Sequence, residues 1–174
     1  MILLALLACV PDDWDGSGWP PDGVDTDGVD TDGVDDTEPV DGPAIVGDWI
    51  SEGADLSDLF AGSPFNYVRI EASFGADGRC GSVIEAANGD VAETAGTCAL
   101  TEGSPGTIVV SQTDPYAATA VGIWQVRGGV LTYEVVQTVP DYGYAPPTPA
   151  SGFGSTEGTG LGAGVNVQTY RRAP

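Results

Sequence analysis

Three short glycine-bearing turns, each beside a run in which apolar and polar residues alternate, constrain the fold of this chain more than any other feature. Asn88-Gly89-Asp90 separates Cys80–Ala87 from Val91–Leu100, and Arg127-Gly128-Gly129 separates Ala118–Val126 from Val130–Val139. Ala76-Asp77-Gly78 ends the run Asn66–Phe74. Such turns join antiparallel neighbours, because glycine accepts the positive φ that a tight hairpin demands. Within Asn66–Phe74, Val68, Ile70, Ala72 and Phe74 fall on one side and Tyr67, Arg69, Glu71 and Ser73 on the other. That is the period-two pattern of a half-buried strand. Ile45–Ile50, Thr107–Gln112 and Val165–Arg172 are further strand-like runs. Leu56, Leu59 and Phe60 have helical spacing, so Ala54–Phe60 is expected to hold a turn or two of helix. With 26 Gly and 13 Pro, the composition favours turns over long helices. The expected fold is all-β, an antiparallel up-and-down barrel of about eight strands, with a β-sandwich as the alternative.

The alternation also assigns an interior. Val68, Ile70, Phe74, Trp124, Val126, Leu131, Tyr133 and Val135 are expected to face inward. An eight-stranded barrel either fills with side chains or leaves room for one small ligand. If room is left, Val68, Ile70, Phe74, Trp124 and Tyr133 are the expected ligand contacts.

Before residue 44 the chain changes character. Residues 10–43 hold twelve acidic residues and no basic one, around the repeat Asp22-Gly-Val-Asp-Thr, Asp27-Gly-Val-Asp-Thr, Asp32-Gly-Val-Asp-Asp. A five-residue period suits neither helix nor strand, and low hydrophobicity with dense like charge predicts a disordered tether. As a flexible coil it would span roughly 30–35 Å, and at most ~110 Å fully extended. Asp25, Asp27, Asp30 and Asp32 are spaced somewhat like calcium-loop ligands, but without the order or the closing Glu of an EF-hand. Weak Ca²⁺ association there is the one cofactor expectation. Trp14 and Trp19 either meet a lipid interface or stand exposed.

Ile2–Ala8 is an uninterrupted apolar run, too short to span a bilayer but right for the apolar core of a signal peptide. It ends in Leu6-Leu7-Ala8-Cys9, which resembles the lipobox of bacterial lipoproteins. The resemblance implies cleavage before Cys9 and diacylglycerol on its thiol, with residues 1–8 as signal peptide and 9–43 as anchor and tether. Two or three acyl chains suffice for stable anchoring. Val10 at the next position, by resemblance to enterobacterial sorting, implies the outer membrane or cell surface. No basic residue precedes Ile2, so either a start upstream of Met1 or a weak signal is expected.

Export favours disulfides. A hairpin centred on Gly89 sets Cys80 directly opposite Cys98, so those two are expected to be bridged.

Residues 44–174 carry a second resemblance. Gly47-Asp48-Trp49 near the start of the domain is similar to the Gly-x-Trp of lipocalin-like barrels, and Phe74-Gly-Ala-Asp-Gly78 and Leu131-Thr-Tyr133-Glu-Val135 are similar to segments of bacterial lipocalin-like lipoproteins. The resemblance implies a barrel with Trp49 at its closed end.

Charge and composition exclude several functions. The net charge of −21, from 26 acidic and 5 basic residues, argues against nucleic acid and against charge-driven adhesion to anionic lipid. With no His, Ser-His-Asp and Cys-His chemistry are impossible within the chain. Glu71, Glu85, Glu93 and Glu134 mostly follow the solvent-facing alternation, so no carboxyl pair converges for glycosidase chemistry. A non-enzymatic, lipid-anchored surface protein is expected, its β-domain binding a small apolar ligand or a partner. The alternative is a purely structural or interaction protein without a ligand cavity, Ca²⁺-responsive through its Asp repeat. In that case the loop Pro140–Gly164, with Tyr142, Tyr144 and Phe153, would carry recognition.

Overall fold

The computed structural model describes residues 43–158 and 160–174; the lipobox with Cys9 and the acidic repeat lie outside them. Strands β1 (Gly47–Glu52), β2 (Tyr67–Phe74), β3 (Arg79–Ala86), β4 (Val91–Thr101), β5 (Gly106–Asp114), β6 (Ala118–Arg127), β7 (Val130–Val139) and β8 (Gln168–Arg172) follow one another around a wall. Each pairs antiparallel with the next, and β1 pairs with β8 through Trp49 opposite Arg172 and Ile50 opposite Arg171. The sheet therefore closes on itself as an up-and-down barrel, not a sandwich.

The turns set the register. Gly128 and Gly129, at φ 56° and 77°, form the two-residue loop between Arg127 and Val130. This is the positive-φ hairpin turn that matches strand twist. The β3–β4 turn differs from expectation by one residue. Gly89, at φ 88°, donates its N–H to the Ala86 carbonyl, and Ala86 donates to the Asp90 carbonyl. The turn is thus centred on Asn88, with Gly89 as the left-handed residue that closes a three-residue loop. Cys80 consequently faces Gly96, not Cys98. The Cys80–Cys98 disulfide forms diagonally on one face, with Cα atoms 5.9 Å apart.

Other boundaries also move. Between β1 and β2 the helical segment splits into a 3-10 turn, Gly53–Asp55, and one short helix, α1 (Asp58–Ala61), whose first turn is capped by the Ser57 hydroxyl. The closing strand is shorter than its alternation suggests. Val165 and Val167 donate to the carbonyls of Gly162 and Gly164, so the chain is still turning there and pairs only from Gln168.

The Trp49 end of the barrel is packed solid. Ile45, Trp49, Ile108 and Leu131 are fully buried. Each such aliphatic side chain contributes roughly 1.5–3 kcal/mol through burial. The Trp49 indole donates to the Ile45 carbonyl at 2.7 Å. The Arg172 guanidinium lies 4.3 Å from the Trp49 ring centroid and donates to the carbonyls of Ala44 and Val46. One arginine thereby ties the last strand to the segment that enters the first.

Candidate functional site

The other half of the barrel is not filled. A cavity of about 110 Å³ lies among β2 to β8 and α1, walled by Phe60, Ile70, Phe74, Val110, Tyr133 and Tyr170, among others. Its position follows from side-chain size. Ala72 and Ala120 occupy inward wall positions where larger residues would narrow the space. The disulfide of Cys80 and Cys98 forms part of the same wall. Two aromatic groups frame it. Phe60, Phe65 and Tyr67 cluster with centroids 5.5–5.8 Å apart, and Phe74, Tyr133 and Tyr170 follow at 6.0–6.2 Å.

Among the described residues, no charged side chain lines the cavity. Its polar groups are amides and hydroxyls. Gln112 donates to the Tyr116 carbonyl. Gln168 bridges two elements, donating to the Ser51 hydroxyl and accepting from the Ser57 N–H. Burial pushes the Tyr67 hydroxyl up to about 12, with Tyr116 adding to the effect. Burial also raises Tyr170, and raises Tyr133 with a further contribution from Tyr170. All three phenols therefore stay neutral through ordinary pH.

Asn166 and Tyr67 stand apart. Both line the cavity, both are buried, and the Asn166 Oδ1 and the Tyr67 hydroxyl have no hydrogen-bond partner. Asn166 is held from the other side by a relay. The Glu134 carboxyl accepts from the Gly154 N–H at 2.6 Å, the Thr156 N–H at 3.1 Å and the Thr156 hydroxyl at 2.5 Å. The Asn166 amide in turn donates to the Thr156 hydroxyl at 3.1 Å.

Glu134 corrects the sequence reading. It does point away from the interior, since its neighbours Tyr133 and Val135 line the cavity. Yet it is 0% exposed, because the segment between β7 and β8 folds back over it. That segment also buries Tyr144, whose ring lies against Gly158, and it is pinned by the Ala145–Glu157 bridge. Part of the expected recognition loop is therefore engaged in packing, while much of it, Tyr142 included, is exposed.

The expected ligand contacts divide. Ile70, Phe74 and Tyr133 line the cavity. Val68 does not. The strand bulges between Tyr67 and Arg69, which turns Tyr67 inward and leaves Val68 41% exposed. Trp124 faces the core but packs towards the solid end, its indole against Gly106 and donating to the Thr107 carbonyl. The sequence reading missed Asn166, Gln168 and Tyr170, although their alternate spacing carried the signal. Asp25, Asp27, Asp30 and Asp32 lie outside the described residues. Among the described residues, no cluster of three or more His, Cys, Asp or Glu side chains is placed to hold a metal ion.

No known protein family matches the chain, and no curated protein or solved structure is significantly similar to it.

Proposed function

We propose that this is a lipid-anchored envelope or surface protein whose barrel binds one small, neutral, largely apolar molecule. The observation that carries the reading is the interior cavity of about 110 Å³, in whose wall no charged residue stands among the described residues. An ionised ligand would lose its hydration and find no counter-charge there. The volume is of the same order as the ~150 Å³ apolar cavity known to admit benzene. A ring-sized ligand therefore fits, whereas a fatty-acid chain exceeds the space. The lipocalin-like resemblance of Gly47-Asp48-Trp49 agrees with a carrier role. The lipobox ending in Cys9 and the acidic repeat support a domain held away from a membrane on a tether.

Two experiments test the two parts. Calorimetric titration of benzene into the full-length Cys9→Ser chain, which needs no detergent, is expected to give saturable binding at one site. Heats that never saturate up to the solubility of benzene would remove the ligand-binding role. Mass spectrometry of the wild-type chain from its membrane fraction is expected to find acyl groups on an N-terminal Cys9. An unmodified Cys9 still joined to Ala8 would remove the anchor.

A further inference from the structure

Resting on the ligand-binding reading above, we infer that the cavity selects a ligand that donates a hydrogen bond, and that Asn166 Oδ1 is the acceptor. The ligand class is a neutral ring-sized alcohol, phenol or N–H compound.

The argument starts outside the barrel. The Glu134 carboxyl is met by three donors, and one of them is the Thr156 hydroxyl. A hydroxyl has a single proton to give. With that proton directed at Glu134, the Thr156 oxygen can only accept from Asn166. The Asn166 amide must therefore turn its NH₂ towards Thr156, as its 3.1 Å contact has it. Its carbonyl oxygen is left on the other side, and it has no partner. Asn166 is 4% exposed and forms part of the cavity wall. A buried amide oxygen without a donor is costly, and natural interiors rarely leave one so. A ligand N–H or O–H removes that cost, whereas a ligand carrying only acceptors would face repulsion from the same atom. The relay thus fixes the polarity of the site, and it does so from a residue the ligand never touches. Glu134 acts here as a positioning residue. The rest of the wall, from Ile70 and Phe74 to Val110, supplies apolar contact without directional preference.

The test compares phenol with toluene, two rings of the same size of which only phenol donates. In the full-length Cys9→Ser chain, phenol is expected to bind at least as tightly as toluene, despite its stronger hydration. In Asn166→Leu, phenol is expected to weaken by about tenfold or more while toluene changes by less than about threefold. Should Asn166→Leu fail to fold, Thr156→Val serves instead. It frees the amide to flip and is expected to cut the phenol-to-toluene preference severalfold. Saturable toluene binding with phenol at least tenfold weaker would overturn this inference and leave the ligand-binding reading standing. A preference for phenol that survives both substitutions would also overturn it. Failure of both probes to bind would overturn the inference together with the reading beneath it.

Discussion

The two halves of the barrel are built from the same strands and differ in what their inward positions hold. On β5, Ile108 is fully buried among Trp49 and Leu131, while Val110, the next inward residue, borders the cavity. On β7, Leu131 belongs to the solid end and Tyr133 to the cavity. The solid half satisfies its polar groups internally, as the Trp49 indole and the Arg172 guanidinium do. The cavity half leaves Asn166 Oδ1 and the Tyr67 hydroxyl without partners. This division separates stability from binding along the barrel axis. The solid half holds the sheet closed, so the other half can tolerate space and unpaired polar atoms.

The largest effect is expected where the packing is densest. Trp49→Ala removes a fully buried ring, its hydrogen bond and its contact with Arg172. A loss of about 3–5 kcal/mol is expected in urea denaturation. Ile108→Ala should cost about 2–5 kcal/mol, and Val110→Ala clearly less, because neighbours of Val110 already face a void. Equal costs at the two positions would contradict the division.

Alkaline pH should act through the cavity half. Tyr67, Tyr133 and Tyr170 all have raised pKa values, chiefly from burial. Above pH ~10 the unfolded chain loses these protons while the folded chain keeps them, so stability falls as pH rises. Each such tyrosine contributes a slope of about 1.4 kcal/mol per pH unit from pH ~10 until its folded pKa is reached, near pH 12 for Tyr67. The phenolate absorbance of these three tyrosines and circular dichroism are expected to change together in one cooperative step. Ionisation of all the tyrosines before any loss of structure would show the cavity to be open to water.

Glu134→Gln should come next, at about 2 kcal/mol. Glutamine can accept on one oxygen only, so its NH₂ must face either the Gly154 N–H or the two Thr156 donors. The loss is expected to appear first as faster proteolysis between β7 and β8, since that segment is what the carboxyl holds. Thermal unfolding unchanged from wild type would contradict the relay. The smallest effect on stability is expected from Ala120→Val, which adds two methyl groups at the cavity wall. It should change unfolding by less than about 1 kcal/mol, yet abolish benzene binding. Undiminished binding would place the ligand elsewhere.

Much of the barrel's interior was legible in the sequence, though not its division into two halves, and the parts that were not have physical reasons. Alternation sorted Ile70, Phe74 and Tyr133 to the interior, because side chains on a strand point to opposite faces by geometry alone. It failed at Val68, because a bulge inserts a residue and exchanges the faces. The glycine turns identified the hairpins, but the Cys80–Cys98 register depended on which turn position Gly89 takes. Glu134 was placed on the outer face, where it lies. Its burial was illegible because the segment covering it has no period from which a path can be read. Asn166, Gln168 and Tyr170 line the cavity at alternate positions. Amides at alternate positions in step with an inward tyrosine mark an interior that is not wholly apolar.

The contrast between the two halves can be read in a single titration. Phenol is added to the full-length Cys9→Ser chain with labelled methyl groups, and shifts are followed residue by residue. Ile70, Ile84 and Val110, which line the cavity, are expected to shift along one saturating curve, while Ile45 and Ile108 at the solid end stay still. Shifts that fail to saturate, or that reach Ile45 and Ile108 as strongly as Ile70, would contradict the account.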